Sequence, residues 1–304
     1  MFSTLSSEFS TTRNITHNMP AFIDNSDDKF ETVFFLPESE GRQGEGGLRT
    51  QGYFKAGLEG KPLITVVTVV YNGEQFLEET ILCVINQTYD NVEYIIIDGG
   101  STDGTLDIIR QYEHAIDYWV SEDDKGIYDA MNKGIDLASG DWINFMNCGD
   151  YLYEDTILRV IFNKQKYGDC QVIYGNQEIR YPSGRKRVVS AGEVDKLWEC
   201  SQFCHQAAFV SSRYHKAHKF NLEIKIVADY EFFYLAWRSN VKFRAIDRTV
   251  CSFDASGVSN GSGMQVFWGV ARVKVRHGSR CRFLAYSEAL YSKLKWSIKR
   301  LLWN

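Results

Sequence analysis

An uninterrupted apolar run is the feature that most constrains what this chain can fold into. Residues 63–70 read Leu-Ile-Thr-Val-Val-Thr-Val-Val, and nearly all of them are β-branched. Such a run is typical of a strand that is buried on both faces, as in the middle of a parallel sheet. The run therefore predicts an α/β protein in which helices cover a central sheet.

Helical and strand-like patterns alternate after this run. They predict a helix over 74–86, a strand over 92–97, a helix over 103–112, a strand over 116–120, a helix over 127–137 and a strand over 141–146. This alternation indicates βαβ units and a mostly parallel sheet. Ligands of such sheets bind beyond the carboxyl ends of the strands, so we expect the functional site at that edge.

The chain divides into three parts by composition and pattern. Residues 1–60 are rich in Ser, Thr, Asn, Asp and Gly and predict an extended arm, which either contacts a second copy of the chain or covers the site. Residues 61–253 form the main domain, and residues 254–304 form a separate tail. Within the main domain the alternation is regular over 61–150 and weaker over 151–253. This second half predicts a helix over 156–166, a strand over 171–174, a hairpin around 182–184, a helix over 228–238 and a strand over 241–246.

Charge and cysteine usage exclude several classes of protein. The 34 basic and 39 acidic residues give a net charge of −5, which argues against a nucleic-acid binder with a broad basic face. The seven cysteines include no repeated C-x-x-C pair, which favours a reducing compartment. Cys200, Cys204 and His205 resemble half of a zinc site, but no second pair with matching spacing follows, so we disfavour zinc.

No targeting or membrane-spanning segment is expected. The first thirty residues contain no apolar core of the length that a secretory signal needs. No stretch approaches the roughly twenty apolar residues of a spanning helix. We therefore expect a cytoplasmic protein.

Polar residues gather where three of the predicted strands end. These stretches are Tyr71-Asn72-Gly73, the glycine-rich segment 98–104 and Asn147-Cys148-Gly149-Asp150. Any one of them is ordinary turn or helix-cap chemistry, but three at one edge of a sheet favour a site. The glycine-rich segment is not G-x-G-x-x-G, and no P-loop is present, which disfavours a dinucleotide-dependent oxidoreductase and an NTPase.

The order of these motifs resembles the family 2 glycosyltransferases. The motifs that carry the resemblance are Thr68-Val-Val-Tyr71-Asn72, Gln87-Thr-Tyr, Asp98-Gly-Gly-Ser101-Thr-Asp103-Gly-Thr, Asp124-Lys125-Gly-Ile-Tyr-Asp-Ala-Met-Asn132 and Gly140-Asp-Trp-Ile. The resemblance covers Pro62 to Phe253 and implies a GT-A fold and an inverting enzyme that uses nucleotide-activated sugars. Many members build bacterial surface polysaccharides. Residues 61–150 would then bind the nucleotide sugar, and residues 151–253 the acceptor.

The resemblance also implies which residues bind the donor. Tyr71, Asn72 and Asp98 occupy the positions at which the family holds the base, where an Asp accepts the imide proton of a uracil. Asp124, Lys125 and Asn132 fall in the stretch that approaches the diphosphate and the ribose, and a cation there suits a phosphate. The full set of implied donor residues is Tyr71, Asn72, Asp98, Ser101, Asp124, Lys125, Asn132, Asn147 and His205.

The metal loop of the family departs from its usual pattern in this chain. An apolar pair followed by Asp-x-Asp-Asp is usual, whereas here Phe145-Met146 precede Asn147-Cys148-Gly149-Asp150. Mg²⁺ and Mn²⁺ keep several waters and bind the substrate diphosphate, so one carboxylate can suffice. We expect Asp150 to be the metal ligand and Asn147 to contact the sugar or supply an amide oxygen. The composition of the loop predicts weak or substrate-dependent binding of a divalent cation.

An inverting transfer needs a general base, because the acceptor hydroxyl loses its proton as it attacks. The family places this Asp near a helix start in the second half, and Asp229-Tyr230-Glu231 matches that pattern. The alternative is that Asp229 only caps its helix. His205 is expected near the donor phosphate or the acceptor.

The tail predicts a basic amphipathic helix. From Ala271 to Asn304 the chain has nine basic residues and one acidic residue. Drawn as a helix, residues 283–304 place six apolar side chains on one face and basic side chains on the flanks and back. The six are Phe283, Tyr286, Leu290, Leu294, Ile298 and Leu301, and the basic residues are Lys293, Lys295, Lys299 and Arg300. The helix either lies on an anionic membrane surface or packs on the main domain.

These features predict an inverting glycosyltransferase that moves a sugar from a UDP-sugar to a hydroxyl of a lipid-linked glycan. One alternative is a sugar nucleotidyltransferase, but the glycine-rich signature with Arg and Lys that it needs is replaced here by Tyr71-Asn72-Gly73-Glu74. A second alternative is a degenerate domain that binds a nucleotide sugar without transferring it. The thinned metal loop keeps that alternative open.

Overall fold

One sheet forms the centre of the fold, and helices pack on both of its faces. The structure is a computed structural model that describes residues 2–20, 32–255 and 264–303, without the side chains of Trp296 and of residues 298–303. Its strands are β1 Gly44–Gly46, β2 Ile64–Val70, β3 Val92–Asp98, β4 Tyr118–Ser121, β5 Trp142–Phe145, β6 Tyr151–Leu152, β7 Val172–Arg180, β8 Lys186–Val189, β9 Ala208–Ser211 and β10 Phe243–Asp254. Its helices are α1 Leu77–Ile85, α2 Thr105–Tyr112, α3 Ile127–Leu137, α4 Ile157–Phe162, α5 Ser212–Ala217, α6 Ala228–Arg238, α7 Met264–Arg276 and α8 Arg282–Trp303.

The strand order in this sheet is β1-β4-β3-β2-β5-β9-β7-β10-β6, with β8 paired to β7. The pairs β2–β3, β2–β5 and β3–β4 are parallel, as the alternation in the first half predicts. The sheet becomes mixed beyond them, because β1 joins β4 and β9 joins both β5 and β7 in antiparallel fashion. β1 and β9 were not predicted, since strands of three and four residues leave little periodicity to detect.

The core follows the two-residue period of the buried strands. On β2, Ile64 and Val66 pack with α1 and α2 on one face, while Val67 and Val69 pack with α3 and α6 on the other. Both β2 and β3 are buried along their whole length. Burial on both faces is the physical reason for their β-branched sequences. Because β2, β3, β4 and β5 are parallel, their carboxyl ends meet at one edge.

The N-terminal extension packs along the outer edge of the sheet. β1 pairs with β4 at Gly44↔Ser121 and Gly46↔Trp119. Arg49 then forms an ion pair of 2.6 Å with Glu93, and both side chains are buried. A buried pair of this kind is strongly destabilising when one partner is removed. The extension therefore adds a strand to the sheet and a buried ion pair beside it, which the composition of this stretch did not indicate.

The C-terminal segment forms two packed helices. Ala285 and Ala289 of α8 are buried against α7, whereas Phe283, Leu290 and Leu294 are exposed, Phe283 by 81%. The described helices include none that is long and apolar enough to cross a membrane. Of the predicted apolar face, the side chains of Ile298 and Leu301 lie outside the described residues.

Candidate active site

The parallel strands bring most of the predicted residues to one edge of the sheet. Tyr71 follows the last residue of β2, Asp98 ends β3, and Asp124 lies three residues beyond β4. Asn147 lies two residues beyond β5. The sequence therefore predicted correctly that these residues lie at one edge, and the side chains differ there in exposure and hydrogen bonding.

Asp98 is enclosed by its own loop. Its side chain has no exposed surface, and Oδ2 accepts hydrogen bonds from Ser121 Oγ at 2.6 Å and from Ser101 N at 2.9 Å. Oδ1 accepts a hydrogen bond from Ser101 Oγ, which in turn accepts one from Asn72 N. Ser101 is buried as well. Asp98 and Ser101 thus form the frame that shapes the loop, and neither presents a polar atom to a ligand in this arrangement.

Tyr71 and Asn72 differ from this frame in being exposed. Tyr71 is 65% exposed, whereas Tyr94 and Tyr118 on the neighbouring strands are fully buried. Asn72 adopts a left-handed φ of 50°, a conformation that Asn tolerates better than most residues. Its Oδ1 accepts a hydrogen bond from Thr102 N at 2.8 Å and so ties the first loop to the second. The exposed ring is available for stacking on a flat ligand.

The segment after β4 contains two kinds of predicted donor residue. Asp124 is half-buried, and its Oδ1 accepts a hydrogen bond from Gly126 N at 2.6 Å, while Lys125 is exposed. Asn132 lies deeper, on α3, where its amide both donates to Phe220 O and accepts from Phe220 N at 2.9 Å. Both polar atoms of Asn132 are thus used to attach the segment at Phe220 to α3. Its predicted contact with the donor stays a prediction.

The loop after β5 is buried and largely committed to protein contacts. Asp150 is 8% exposed, and its Oδ2 accepts a hydrogen bond from Gln206 Nε2 at 2.7 Å while Oδ1 accepts one from Asp254 N at 3.2 Å. Burial raises the pKa of Asp150, with the bond from Gln206 opposing the rise. Asn147 Nδ2 lies 3.0 Å from His205 Nε2, and Asn147 Oδ1 is buried without a hydrogen-bond partner among the described residues.

Asp229, in the first turn of α6, is the centre of a network that joins three parts of the chain. His205 Nδ1 lies 3.1 Å from Asp229 Oδ2, and the Tyr128 hydroxyl lies 2.9 Å from Asp229 Oδ1. Burial raises the pKa of Asp229, but hydrogen bonds from His205 and Tyr128 outweigh it and hold the pKa below its usual value. The side chain of Asp229 is 26% exposed and that of His205 is 13% exposed. Asp229 is therefore an ionised carboxylate that a ligand can reach.

The network also assigns the protons of His205. Because Asp229 is an acceptor, Nδ1 of a neutral ring carries the hydrogen and Nε2 is left as the acceptor for the Asn147 amide. Burial and the charge of Asp229 raise the pKa of Tyr128 well above its usual value, so its hydroxyl remains a donor. The loop after β5, His205 and Asp229 are thus linked through consecutive hydrogen bonds.

Two residues of this network were missed in the sequence. Tyr128 lies in the stretch after Asp124 that carries part of the family resemblance, and Gln206 directly follows His205. Their positions next to predicted residues were the available signal. The sequence around them does not indicate their hydrogen-bond partners, because these are distant. Tyr128 contacts Asp229, 101 residues away, and Gln206 contacts Asp150, 56 residues away.

The described residues contain no group of three or more His, Cys, Asp or Glu side chains that is suited to hold a metal ion. The orphaned oxygen of Asn147 is a hard ligand of the type that Mg²⁺ and Mn²⁺ accept, and Asp150 is one carboxylate whose two oxygens already accept hydrogen bonds. This donor set fits a cation that is held mainly by a bound diphosphate. It does not resemble a cage that the protein builds alone.

Comparison with known protein families identifies the family of this chain. Residues 65–241 match the family model described as glycosyl transferase family 2. The chain belongs to glycosyl transferase family 2. It is thus a transferase enzyme, as the motif order predicted.

Relatives of this glycosyltransferase occur in mycobacteria. It is 33% identical over 178 residues to a PGL/p-HBAD biosynthesis glycosyltransferase of Mycobacterium bovis. The match covers 56% of this chain and 68% of that protein. It is 32% identical over 213 residues to another glycosyltransferase of Mycobacterium tuberculosis, which covers 66% of this chain and 78% of that protein.

Solved structures confirm the GT-A fold. The S. aureus protein TarS in complex with UDP-GlcNAc has a TM-score of 0.54 at 18% identity, covering 70% of this chain and 66% of that one. The mannosyltransferase PcManGT from Pyrobaculum calidifontis, in complex with GDP-Man and Mn²⁺, has a TM-score of 0.55 at 14% identity, covering 75% and 69%. At these identities the likeness concerns the fold alone.

Proposed function

We propose that this family 2 glycosyltransferase is an inverting enzyme that transfers a sugar from a UDP-sugar to a hydroxyl group of a glycan acceptor. The observation that carries the proposal is the ionised, partly exposed carboxylate of Asp229. It lies two hydrogen bonds away from the loop that follows β5, through His205. A general base must lie within reach of the acceptor hydroxyl, and the hydrogen bonds from Asp229 through His205 to Asn147 support its assignment to this role.

In the proposed step the acceptor oxygen attacks the anomeric carbon from the face opposite the diphosphate. The new carbon–oxygen bond forms as the bond to the diphosphate oxygen breaks, and UDP leaves with the bonding electrons. Asp229 takes the proton of the acceptor hydroxyl and becomes a neutral carboxylic acid. His205 and Tyr128 hold Asp229 ionised before the step and fix the direction of its oxygens.

A divalent cation, Mg²⁺ or Mn²⁺, is proposed to accompany the donor. Asn147 Oδ1 would contact it, together with Asp150 once Gln206 releases a carboxylate oxygen. When bound, the cation would neutralise charge on the leaving diphosphate. Because the protein offers few ligands, we expect removal of metal by EDTA to lower the transfer rate without abolishing it. Complete loss of activity in EDTA would contradict this, and titration with Mn²⁺ measures the affinity directly.

The acceptor is proposed to be a lipid-linked glycan at an anionic membrane, as in bacterial polysaccharide synthesis. The support comes from α8, whose Ala285 and Ala289 face α7 while Phe283, Leu290 and Leu294 remain exposed. Exposed large apolar side chains on a helix that lies in a basic segment favour binding to an anionic bilayer surface. This arrangement would hold the catalytic domain close to a lipid-linked substrate.

The test is a donor panel with stereochemical readout. Purified full-length protein is incubated with UDP-, GDP- and TDP-linked sugars and a glycan acceptor, and release of the nucleotide is measured. We expect release from UDP-sugars, and the proton NMR coupling of the anomeric hydrogen should show a β product from an α-linked donor. Retention of configuration would overturn the inverting mechanism. Turnover with GDP-sugars alone would overturn the choice of nucleotide.

A further inference from the structure

Asp98, which the resemblance implies to contact the base, is not accessible to a ligand in the structure. Asp98, at the expected position, has no exposed surface and satisfies both carboxylate oxygens within its own loop and β4. A base that bonded to Asp98 would have to displace hydrogen bonds from Ser101 and Ser121. A carboxylate that contacts a base at this edge therefore belongs to a residue other than Asp98.

Gly99 shows which residue it is. A Cβ atom built on Gly99 would collide with Asp124 Oδ2, would lie 3.1 Å from Asp124 Cγ, and would lie 3.6 Å from Cδ2 of the Tyr71 ring. Gly100 has a positive φ of 81°, whereas Gly99 does not lie in the left-handed region, so its backbone permits a side chain. Glycine is needed at residue 99 because the carboxylate of Asp124 occupies the space that a side chain would fill.

The remaining bonding capacity of Asp124 points to a ligand. Oδ1 accepts the hydrogen bond from Gly126 N, and Oδ2 has no hydrogen-bond donor among the described residues. Asp124 is half-buried, and both its carboxylate and the exposed ring of Tyr71 lie beside Gly99. Because the ring and the carboxylate flank the same glycine, one flat base can contact both of them.

We infer that Asp124 is the residue that recognises the nucleobase of the donor, by accepting the imide N–H of uracil at Oδ2 while Tyr71 stacks on the ring. The inference rests on the proposed function, because it concerns the donor of that reaction. A carboxylate selects bases that present an N–H at this edge and disfavours adenine and cytosine, whose ring nitrogen there is an acceptor. Asp98 instead holds the loop in shape.

Binding of nucleotides to the full-length protein tests this without requiring transfer. Isothermal titration calorimetry compares UDP with UDP methylated at N3, which lacks the imide hydrogen. Because hydrogen bonds to charged groups are among the stronger ones, we expect wild type to prefer UDP by about 10- to 100-fold. Asp124→Ala should bind UDP as weakly as it binds the methylated nucleotide, so that the preference is lost. The matched control Asp123→Ala, which removes the adjacent exposed carboxylate, should keep the full preference.

A positional exchange gives a second test. Gly99→Asp alone adds a side chain where the Asp124 carboxylate lies and should weaken UDP binding. The double variant Gly99→Asp/Asp124→Gly supplies a carboxylate to the same space from the other loop, so we expect it to recover most of the preference for UDP over the methylated form. Circular dichroism of each variant verifies that the domain is folded.

The outcomes separate this inference from the proposed function. If wild type binds UDP but Asp124→Ala keeps the preference for the unmethylated form, the assignment of Asp124 is overturned and the choice of a UDP-sugar stands. If the double variant shows no stronger preference for UDP than Gly99→Asp alone, the two side chains do not supply a carboxylate to the same space, and the inference is contradicted. If wild type binds no nucleoside diphosphate at all, the proposed function and this inference fall together.

Discussion

The loop after β3 and the start of α6 each centre on an aspartate, yet they hold it in opposite ways. Asp98 receives its hydrogen bonds from its own loop and from the end of the adjacent strand, and it has no exposed surface. Asp229 receives its hydrogen bonds from residues 24 and 101 positions away and keeps 26% of its side chain exposed. The first arrangement stabilises a loop, and the second keeps a charged group accessible for proton transfer.

The largest expected effect separates the two aspartates by activity. Asp229→Asn keeps the shape of the side chain and removes its ability to accept the proton. General base catalysis typically contributes about 10²- to 10⁴-fold, so we expect the rate of UDP release to fall by that factor. UDP binding should change little. Asp107→Asn, an exposed carboxylate on α2, serves as the control and should retain activity. Full activity of Asp229→Asn would contradict the assignment of Asp229 as the general base.

The next effect concerns stability. Asp98→Asn replaces one carboxylate oxygen by an amide that cannot accept the converging hydrogen bonds, and we expect the free energy of unfolding to fall by about 2–3 kcal/mol. Asp229→Asn should cost less, because solvent compensates a partly exposed group. Urea denaturation of both variants measures the difference. Equal losses would show that the two sites do not differ in structural role.

A smaller effect tests whether His205 acts on Asp229. His205→Asn places its amide nitrogen near the position of Nδ1, whereas His205→Gln places it near Nε2 and leaves Asp229 without this donor. Loss of the hydrogen bond raises the pKa of Asp229, so the acid limb of the kcat/KM profile should move to higher pH in His205→Gln. The rate at neutral pH should fall by about 10-fold, and less in His205→Asn.

The two His205 variants serve as each other's control. A structural role alone predicts equal losses of activity and an unchanged pH profile. Identical profiles in both variants would therefore contradict the proposed role of His205. Asp229 would then act without help from His205 and the loop after β5.

The smallest effect lies outside both sites. Replacing Phe283, Leu290 and Leu294 by Ser should leave turnover of a water-soluble acceptor unchanged, because these side chains are exposed and do not belong to the apolar cluster between α7 and α8. Binding to anionic vesicles in a flotation assay should decrease, while binding to neutral vesicles should be weak in both proteins. Unchanged flotation would contradict the membrane proposal. A loss of soluble-acceptor activity would show that α8 instead supports the catalytic site.

Much of the fold was predictable because the signals are local. The buried runs of β2 and β3, the helices α1 to α3 and the helix α6 all show their periodicity within single segments. The edge that carries the site followed from the parallel order of the strands. β1 and the burial of Arg49 against Glu93 were not predictable, because their partners are distant in sequence.

The candidate site was predictable in position and less so in detail. The sequence brought Tyr71, Asp98, Asp124 and Asn147 to one edge, but it could not tell which carboxylate is exposed. Exposure depends on how neighbouring loops pack, as the contact between Gly99 and Asp124 shows. The residues Tyr128 and Gln206 joined the site only through long-range hydrogen bonds.

The sequence by itself determined the α/β class, the parallel core and the order of motifs that places the chain in its family, because hydrophobic periodicity and turn residues act over a few positions. The tertiary structure alone decided that Asp98 is a buried frame, that Asp124 and Tyr71 both lie beside Gly99, and that hydrogen bonds from His205 and Tyr128 lower the pKa of Asp229. These properties depend on solvent access and on hydrogen bonds between distant segments. Neither exists until the chain has folded.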